Sequence, residues 1–435
     1  MFWVELLIVL IMIFWGSRKG GAFISFAGGI GLFILIFFCG AQPNEPPVTV
    51  ILIIMAVVLA ASAMEAAGGL ELMVRAAEKI LRKNPKHITI VAPVVAWLFT
   101  FMCGTGHIIY SLLPVINEVA MDSGVRPERP ISSSIISSQQ AIVACPISAA
   151  TAALAGYMAV RNVSLATILI ICVPATLIGS IAGALSVYKR GKELSEDPVY
   201  LERVKAGLIK DYKTKREKTE IKKPAVLSLI IFGIAMVVIV LFGAFEGLRP
   251  VYADGSAFSM TTGIQVFMLV AAALIVIFCR INADQVLEGS IFKSGMFACV
   301  LAFGLCWMVN CFVGAQSDFI NEHMSALTNQ YPWVYIIAVF VIGALTASQA
   351  STTMIMVPIG IALNLPSEII IAGWMACCSL YFLPIASQSV AAIAFDSAGT
   401  TKIGKFILNH SYMRPGLVTT VVSVVVAYAI SAAVL

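Results

Sequence analysis

Long apolar runs constrain the fold of this chain more than any other feature. Of its 435 residues, 60% are hydrophobic and 12% are charged, and the mean hydropathy is +0.96. Soluble domains carry roughly 25% charged residues, so this composition is typical of an integral membrane protein. Several runs approach the ~20 residues that a helix needs to cross the hydrocarbon core, and none alternates like a barrel strand. The sequence therefore predicts an all-α polytopic protein that resides in the lipid bilayer.

Hydropathy predicts about ten membrane-crossing helices and leaves two apolar segments apart. The predicted spans cover residues 2–16, 22–41, 48–65, 132–160, 164–188, 225–245, 262–279, 294–313, 368–394 and 415–435. The two remaining segments, 88–118 and 333–363, carry polar residues near their centres. The first run lacks a basic leader and contains Glu5, so we expect a retained helix rather than a cleaved signal peptide.

Positive charge falls almost entirely on one side if each of these two segments enters and leaves the membrane on the same face. In that arrangement 26 of the 28 Lys and Arg residues lie in cytoplasmic loops, and only Arg161 and Arg249 lie outside. Cytoplasmic loops carry an excess of these residues, although a long loop such as 189–223 obeys the rule weakly. The charge pattern therefore predicts two re-entrant hairpins and places both chain ends outside the cytoplasm.

The two apolar halves repeat the same order of landmarks. Gly104 and Pro114 are ten residues apart in the first hairpin, and Ser348 and Pro358 are ten residues apart in the second. A proline interrupts the span that follows each hairpin, and five crossings in each half would invert the second half relative to the first. The predicted organisation is a first repeat at 1–188 (hairpin 88–118, broken helix 132–160), a charged cytoplasmic linker at 189–223, and a second, inverted repeat at 224–435 (hairpin 333–363, broken helix 368–394).

Four polar stretches interrupt the hairpins and the broken helices. They read CGTGH at 103–107, ACPIS at 144–148, SQASTT at 348–353 and LPIASQS at 383–389. Non-helical backbone is tolerated at membrane depth only where protein or a water-filled cavity satisfies its polar groups. Half-helices that begin there offer free N–H donors and a partial positive charge, which suit an anion, whereas their carboxyl ends suit a cation. The pattern predicts a cavity for a small dianion and a coupling cation, Na⁺ or H⁺.

Individual residues of these stretches have the chemistry that such a cavity needs. Gly104 and Gly106 permit a tight turn and close approach of a ligand. Thr105 is suited to cap a helix that begins near His107. Pro146 has no N–H to leave unsatisfied if it opens a new half-helix. The candidate hydroxyl ligands are Thr105, Ser148, Ser348, Thr352 and Ser387.

Other polar residues at membrane depth have two alternative roles each. His107 is either a substrate ligand or proton carrier, or a neutral hydrogen-bonded residue of the hairpin. Gln139 and Gln140 either line the cavity or bond one helix to another. No Lys or Arg lies near the tips along the sequence, so the helix ends themselves are expected to hold the anion.

At these motifs the chain resembles the anaerobic four-carbon dicarboxylate (Dcu) transporters of Gram-negative bacteria. The matching stretches span nearly the whole chain and include MAVVLAASAMEAAGGLE, GTGHIIYSLLPVI, SQQAIVACPISAA and FDSAGTTKIGKFILNHSY. The resemblance implies an inner-membrane carrier with periplasmic termini that exchanges fumarate, malate or aspartate for succinate. It also implies distant kinship with the ion transporter superfamily, whose members move a hairpin-bearing domain like an elevator.

The resemblance also assigns site residues. The family positions that match are Gly104, Thr105, Gly106, His107, Pro146, Ser148, Ser348, Gln349 and Pro384. Two departures stand out, because the family usually has Leu-Pro-Thr-Tyr-Pro where this chain has LPIASQS, and because 351–353 read Ser-Thr-Thr. Ser351 and Thr352 could therefore supply an extra hydroxyl ligand.

Three other functions remain open from the sequence. A carrier of another small anion, such as citrate, lactate or arsenite, would fit the same pattern. A sensor or channel is a further alternative, although the repeat suits a rocking or sliding carrier better. An intramembrane enzyme is disfavoured, because neither HExxH nor GxSxG occurs. Ten cysteines without CxxC spacing argue against zinc, and we expect no cofactor and no nucleic-acid partner. No ATP-binding loop occurs, so transport would draw on ion gradients, and the sequence leaves a homodimer open.

Overall fold

The computed structural model is all-α over the residues that it describes. These are residues 1–19, 22–106, 108–207, 209, 223–253, 258–319, 330–383, 386–402 and 409–435. Within these ranges eight helices are long and apolar enough to cross a membrane, and five shorter apolar helices accompany them. The predicted class, an all-α polytopic membrane protein, is confirmed.

The first half begins with two apolar helices and continues into the first helix pair and the first interrupted helix. Its helices are α1 Phe2–Lys19, α2 Phe23–Phe37, α3 Val48–Ala66, α4 Gly69–Lys83, α5 Ile88–Cys103, α6 Ile108–Asp122, α7 Glu128–Ala144, α8 Ala149–Met158 and α9 Leu165–Val187. A short helix, α10 Pro198–Lys205, follows in the charged segment.

The second half also contains a helix pair followed by an interrupted helix and a final long helix. Its helices are α11 Lys223–Ala244, α12 Met260–Cys279, α13 Ala283–Glu288, α14 Ser290–Leu301, α15 Trp307–Ala315, α16 Trp333–Thr346, α17 Gln349–Ala362, α18 Ser367–Trp374, α19 Ser387–Phe395 and α20 Met413–Val434. A π-helical turn, Ala302–Cys306, joins α14 to α15, and a 3₁₀ helix, Met375–Tyr381, extends α18.

The two halves pack against each other reciprocally. Helix α3 packs along α12, and its counterpart in the second half, α14–α15 with the π turn, packs along α2. The last helices of the halves, α9 and α20, pack along each other. Each half therefore packs against helices of the other, while the internal repeat, its boundaries and its inverted orientation stay predictions.

Small residues bring α9 and α20 close together. A Cβ atom added to Gly179 would lie 2.8 Å from the carbonyl oxygen of Thr419, and one added to Gly183 would lie 2.8 Å from that of Pro415. Glycines four residues apart let the backbones of two membrane helices approach closely. The two halves are therefore joined along a tight seam, and its two helices also pack against the interrupted helices, α9 against α7 and α20 against α18.

The described start of the charged segment is anchored to the protein at a few positions, although most of its side chains are exposed. Arg129 donates to the carbonyl of Arg190 at 2.7 Å and pairs with Glu193 at 2.8 Å. Buried Arg126 pairs with both Glu128 and Asp197. Burial lowers the pKa of Arg126, but these two carboxylates more than offset it, so the net pKa is raised. Residues 208 and 210–222 of the predicted linker lie outside the described residues.

Candidate functional site

The first helix pair turns at Gly104. Helix α5 ends at Cys103, and Gly104 follows in the left-handed region with φ +69° while its N–H donates to the carbonyl of Thr100 at 2.9 Å. Glycine adopts this conformation at little cost because it has no Cβ atom. A Cβ added there would also lie 2.8 Å from Cγ1 of Ile147, so this tip is packed tightly against the interruption between α7 and α8.

The second helix pair is built in the same way with different residues. Helix α16 ends at Thr346, and Ala347 adopts the left-handed region with φ +49° while its N–H donates to the carbonyl of Gly343 at 3.0 Å. Ser348 then caps α17, because its hydroxyl accepts the N–H of Ser351 at 3.2 Å. The left-handed residue reverses the chain in both pairs.

The first interruption separates α7 from α8 at residues 145–148. Ser148 caps α8 by accepting the N–H of Thr151 at 3.1 Å, and it donates to the carbonyl of Ile142 at 2.6 Å. Its hydroxyl thus ties the end of one half-helix to the start of the next. Pro146 lies in the turn before this cap, so α8 opens at Ala149 and not at the proline. The physical reason is that the serine satisfies an N–H that would otherwise stay orphaned.

The second interruption lies between the 3₁₀ extension of α18 and the start of α19. The backbone of α19 begins at Ser387, after Ala386 in extended conformation. Gln388 accepts a hydrogen bond from the side chain of Gln139 at 3.3 Å, and Gln349 donates to the carbonyl of Gln139 at 3.1 Å. Gln139 therefore bonds α7 to α17 and α19. Of its two interpretations from the sequence, the structure favours a link between helices over a place in the cavity wall.

One cavity of about 910 Å³ joins both tips and both interruptions. Among the residues that line it are Gly104, Thr105 and Gly106 from the first tip, Ile147, Ala149 and Ala150 from the first interruption, Thr346, Ala347, Ser348, Gln349 and Ser351 from the second tip, and Ala386 and Gln388 from the second interruption. Segments more than two hundred residues apart in the chain thus meet around one space.

The sequence-predicted site residues fall into three groups. The wall of the cavity contains Gly104, Thr105, Gly106, Ser348, Gln349 and Ser351. Pro146, Ser148 and Thr352 are buried beside it and are not among its lining residues. Thr352 donates instead to the carbonyl of Ser348 at 2.8 Å, the usual direction for a threonine hydroxyl inside a helix. His107, Pro384 and the side chain of Ser387 lie outside the described residues.

Two helix N-termini contribute their first residues to the cavity wall, next to the serines that cap them. Ala149 and Ala150 start α8, and Gln349 and Ala350 start α17, and all four line the space. The first N–H groups of a helix have no intrahelical acceptor, and the end of the helix behaves as roughly +0.5 charge. Both features favour a bound anion.

Two helix C-termini reach the same cavity. Cys103 at the end of α5 and Thr346 at the end of α16 both line it. Carbonyl oxygens at such ends suit a cation. No group of three His, Cys, Asp or Glu side chains that could bind a metal occurs within the described ranges.

Three lining residues were not identified from the sequence. Gln388 belongs to the LPIASQS stretch, and its polar amide at membrane depth could have identified it as a lining residue. Arg18 and Lys293 also line the cavity, although they are far from every polar motif along the chain. Only the packing of α1 and α14 brings these two cations to the site, and no local pattern encodes that packing.

Known proteins similar to this chain along its whole length are membrane transporters. Residues 1–435 match the family described as anaerobic C4-dicarboxylate membrane transporters. The chain is 38% identical to the anaerobic C4-dicarboxylate transporter DcuB of Escherichia coli O6:H1 over 441 residues, covering 99% of both proteins. It is 39% identical to the C4-dicarboxylate transporter DcuA of Helicobacter pylori over 438 residues, again covering 99% of both.

The fold is shared with more distant transporters. MtrF of Neisseria gonorrhoeae, described as one of a class of antimetabolite efflux pumps, superimposes with a TM-score of 0.54 at 13% sequence identity. The match covers 99% of this chain and 94% of MtrF. Together, the match along the whole chain and the identity to curated relatives place this protein, a multi-pass membrane transporter and not an enzyme, in the anaerobic C4-dicarboxylate (Dcu) transporter family.

Proposed function

We propose that this protein is a secondary carrier that exchanges small dicarboxylates, such as fumarate, succinate, malate or aspartate, across the bacterial inner membrane. The observation that carries the proposal is one cavity that receives the starts of both α8 and α17. Two helix N-termini supply roughly one positive charge and several N–H donors. A dicarboxylate has one carboxylate for each of them.

Side chains at the second tip would complete the recognition. Ser348, Ser351 and Gln349 line the cavity beside the start of α17 and can donate to carboxylate oxygens. Gln388 stands across from them at the start of α19. Neutral donors of this kind bind an anion without an opposing ion pair that must be broken on release, which suits a carrier.

The cavity also supports alternating access. Arg18 and Lys293, which the charge pattern assigns to the cytoplasmic side, line the same space as the two tips. We therefore infer that this conformation is open to the cytoplasm. An elevator motion would carry tips and interruptions past α3 and α14 and open the site to the periplasm. In this proposal both termini are periplasmic, the second half is inverted, and a homodimer would anchor the stationary helices.

The energy for transport would come from gradients of substrate and of a coupling cation. The carbonyl ends of α5 and α16 lie in the cavity beside the anion-binding helix starts, so Na⁺ or H⁺ would bind next to the substrate charge. Uptake that depends on Na⁺ at constant pH would identify Na⁺, whereas uptake that depends only on a pH gradient would identify H⁺.

Counterflow in proteoliposomes tests the proposed activity. Vesicles loaded with unlabelled succinate are diluted into trace ¹⁴C-fumarate, and empty vesicles serve as the control. We expect transient accumulation of label with internal succinate, malate or aspartate and none with internal citrate, lactate or arsenite. Label that enters only with one of the last three would assign a different anion. Flux that does not saturate and does not depend on internal substrate would indicate a pore.

A further inference from the structure

Arg18 and Lys293 are the two cationic side chains among the lining residues of the cavity. Arg18 belongs to the last turn of α1, and Lys293 lies in the first turn of α14. Both are exposed, and no ion pair joins either of them to an acidic group in the part of the chain that the structure describes. A cation with no acidic partner that faces a ligand cavity is available for an anion.

The surroundings of the pair decide how strong that attraction is. Around them the cavity wall is apolar and includes Val57, Phe297 and Leu301. Glu65 lies near this end of α14, where its carboxylate accepts the N–H of Ile291 at 3.0 Å. Among the described residues that line the cavity there are two positive charges and no Asp or Glu. Low-dielectric walls focus the field of such charges into the cavity.

Lys19, the neighbour of Arg18 in the sequence, provides an internal contrast. Its ammonium lies 4.7 Å from the ring centroid of Phe23 and 5.7 Å from that of Trp15. It is not among the lining residues of the cavity. Two adjacent basic residues therefore differ in surroundings, and only one of them faces the transport path.

We propose that Arg18 and Lys293 form an outer anion-binding subsite at the cytoplasmic mouth of the cavity, which captures carboxylate dianions before they reach the helix N-termini. This inference rests on the proposed function. The guanidinium can hold one carboxylate with two parallel hydrogen bonds, and the ammonium acts as a mobile point charge. Because the helix starts form the inner site, the outer pair governs capture rather than the transport step itself.

The subsite has a sidedness that the inner site lacks. Substrate that arrives from the cytoplasm passes the pair, whereas substrate from the periplasm reaches the same helix starts by the opposite route. Capture by exposed charges is also screened by salt, since the Debye length is about 8 Å at 0.15 M ionic strength. Loss of the pair should therefore weaken apparent affinity on one side only and flatten its salt dependence.

Initial rates in membrane vesicles of defined orientation test this inference. Arg18→Gln, Lys293→Gln and the double variant are compared with wild type and with Lys19→Gln, the matched control. In inverted vesicles, which present the cytoplasmic face, we expect KM for fumarate to rise about 10-fold in the double variant with kcat unchanged, at the lower end of electrostatic steering effects. In right-side-out vesicles KM should stay at the wild-type value in all variants. Lys293→Arg keeps the positive charge, so its KM in inverted vesicles should equal the wild-type value.

Each result has a distinct meaning. The outer subsite would be ruled out if Arg18→Gln and Lys293→Gln both kept the wild-type KM, or if KM rose equally in inverted and right-side-out vesicles. Neither result would contradict dicarboxylate exchange. The same increase in Lys19→Gln would also overturn the outer subsite, because general surface charge would then be responsible. Absence of fumarate exchange by the wild-type protein would instead overturn the proposed function itself. A fluorescent fusion that reports equal membrane levels excludes misfolding of a variant as the cause.

Discussion

The two helix-pair tips share a backbone conformation but are held by different means. At the first tip Gly104 adopts the left-handed region against Ile147, and a Cβ on Gly106 would overlap the amide nitrogen of Gln388. At the second tip Ala347 adopts the same region with a side chain present. The first tip is therefore constrained by close packing, and the second pays a conformational cost that its neighbours must offset.

Hydroxyl groups supply that compensation at the second tip. The hydroxyls of Thr346 and Thr352 lie 3.0 Å apart, and Ser351 donates to the hydroxyl of Ser348 at 2.9 Å. These bonds connect the last turn of α16 to the first turn of α17. Shape is thus the critical property of the first tip and hydrogen bonding that of the second, so substitutions that test shape and polarity should have different effects at the two tips.

The largest effect is expected when a large apolar side chain is placed at either tip. Gly104→Leu would force a side chain into Ile147 at positive φ, and Ser348→Leu would remove a cap and block the cavity wall. We expect each to abolish fumarate uptake in whole cells while quantitative immunoblotting still detects the protein in the membrane. Full uptake by either variant would count against the site.

A charge at Gln388 tests whether the first tip faces an anion. Gln388→Glu keeps the size of the side chain and its acceptor oxygen for Gln139, but it brings a negative charge into the cavity. A repulsion of about 1.4 kcal/mol corresponds to a tenfold change in affinity, so KM for fumarate should rise about tenfold or more. Gln388→Met, which is similar in length but uncharged, provides the control for loss of the amide group. An unchanged KM in Gln388→Glu would exclude this residue from contact with substrate.

The two capping serines allow a comparison of folding with binding. Ser148 and Ser348 both cap a half-helix, but only Ser348 lines the cavity. Loss of either cap should lower stability by about 1 kcal/mol. Ser148→Ala should therefore lower the thermal unfolding midpoint in detergent with KM preserved, whereas Ser348→Ala should also raise KM several-fold. Equal KM changes in both variants would mean that the serine at the second tip contributes only as a cap.

Local signals in the sequence account for much of this architecture. Hydropathy predicts the helical class because a membrane span must be apolar for about 20 residues. Glycine, proline and serine predict the polar stretches, because each residue type has a specific backbone or capping preference. Gly104 and Ser348 line the cavity for these reasons. These stretches also predict a cavity for a small dianion, and the family resemblance adds the class of four-carbon dicarboxylates.

Long-range packing and side-chain direction are what the sequence does not encode locally. Arg18 and Lys293 reach the cavity only because α1 and α14 pack beside the tips. Thr352 has the chemistry of a ligand, but helix geometry directs its hydroxyl back to the carbonyl of Ser348. Pro146 sits ahead of the helix start because Ser148 is the better cap. The residue type thus indicates what chemistry a side chain offers, whereas the three-dimensional packing decides where that side chain points.

The smallest effect, and the sharpest contrast between the tips, comes from exchanging their left-handed residues. A non-glycine residue in the left-handed region destabilises the folded state by about 1–2 kcal/mol. Replacing it with glycine removes this strain but raises the entropy of the unfolded chain, which offsets about 0.4–1 kcal/mol of the stabilisation. Ala347→Gly should therefore raise the thermal unfolding midpoint slightly, whereas Gly104→Ala should lower it, both through φ and through the 2.8 Å approach to Ile147. Differential scanning fluorimetry in detergent would measure both shifts. A lower midpoint for Ala347→Gly would show that the alanine methyl group packs well enough to outweigh its conformational cost, and the hydroxyl network would then no longer be needed to explain how the second tip is held.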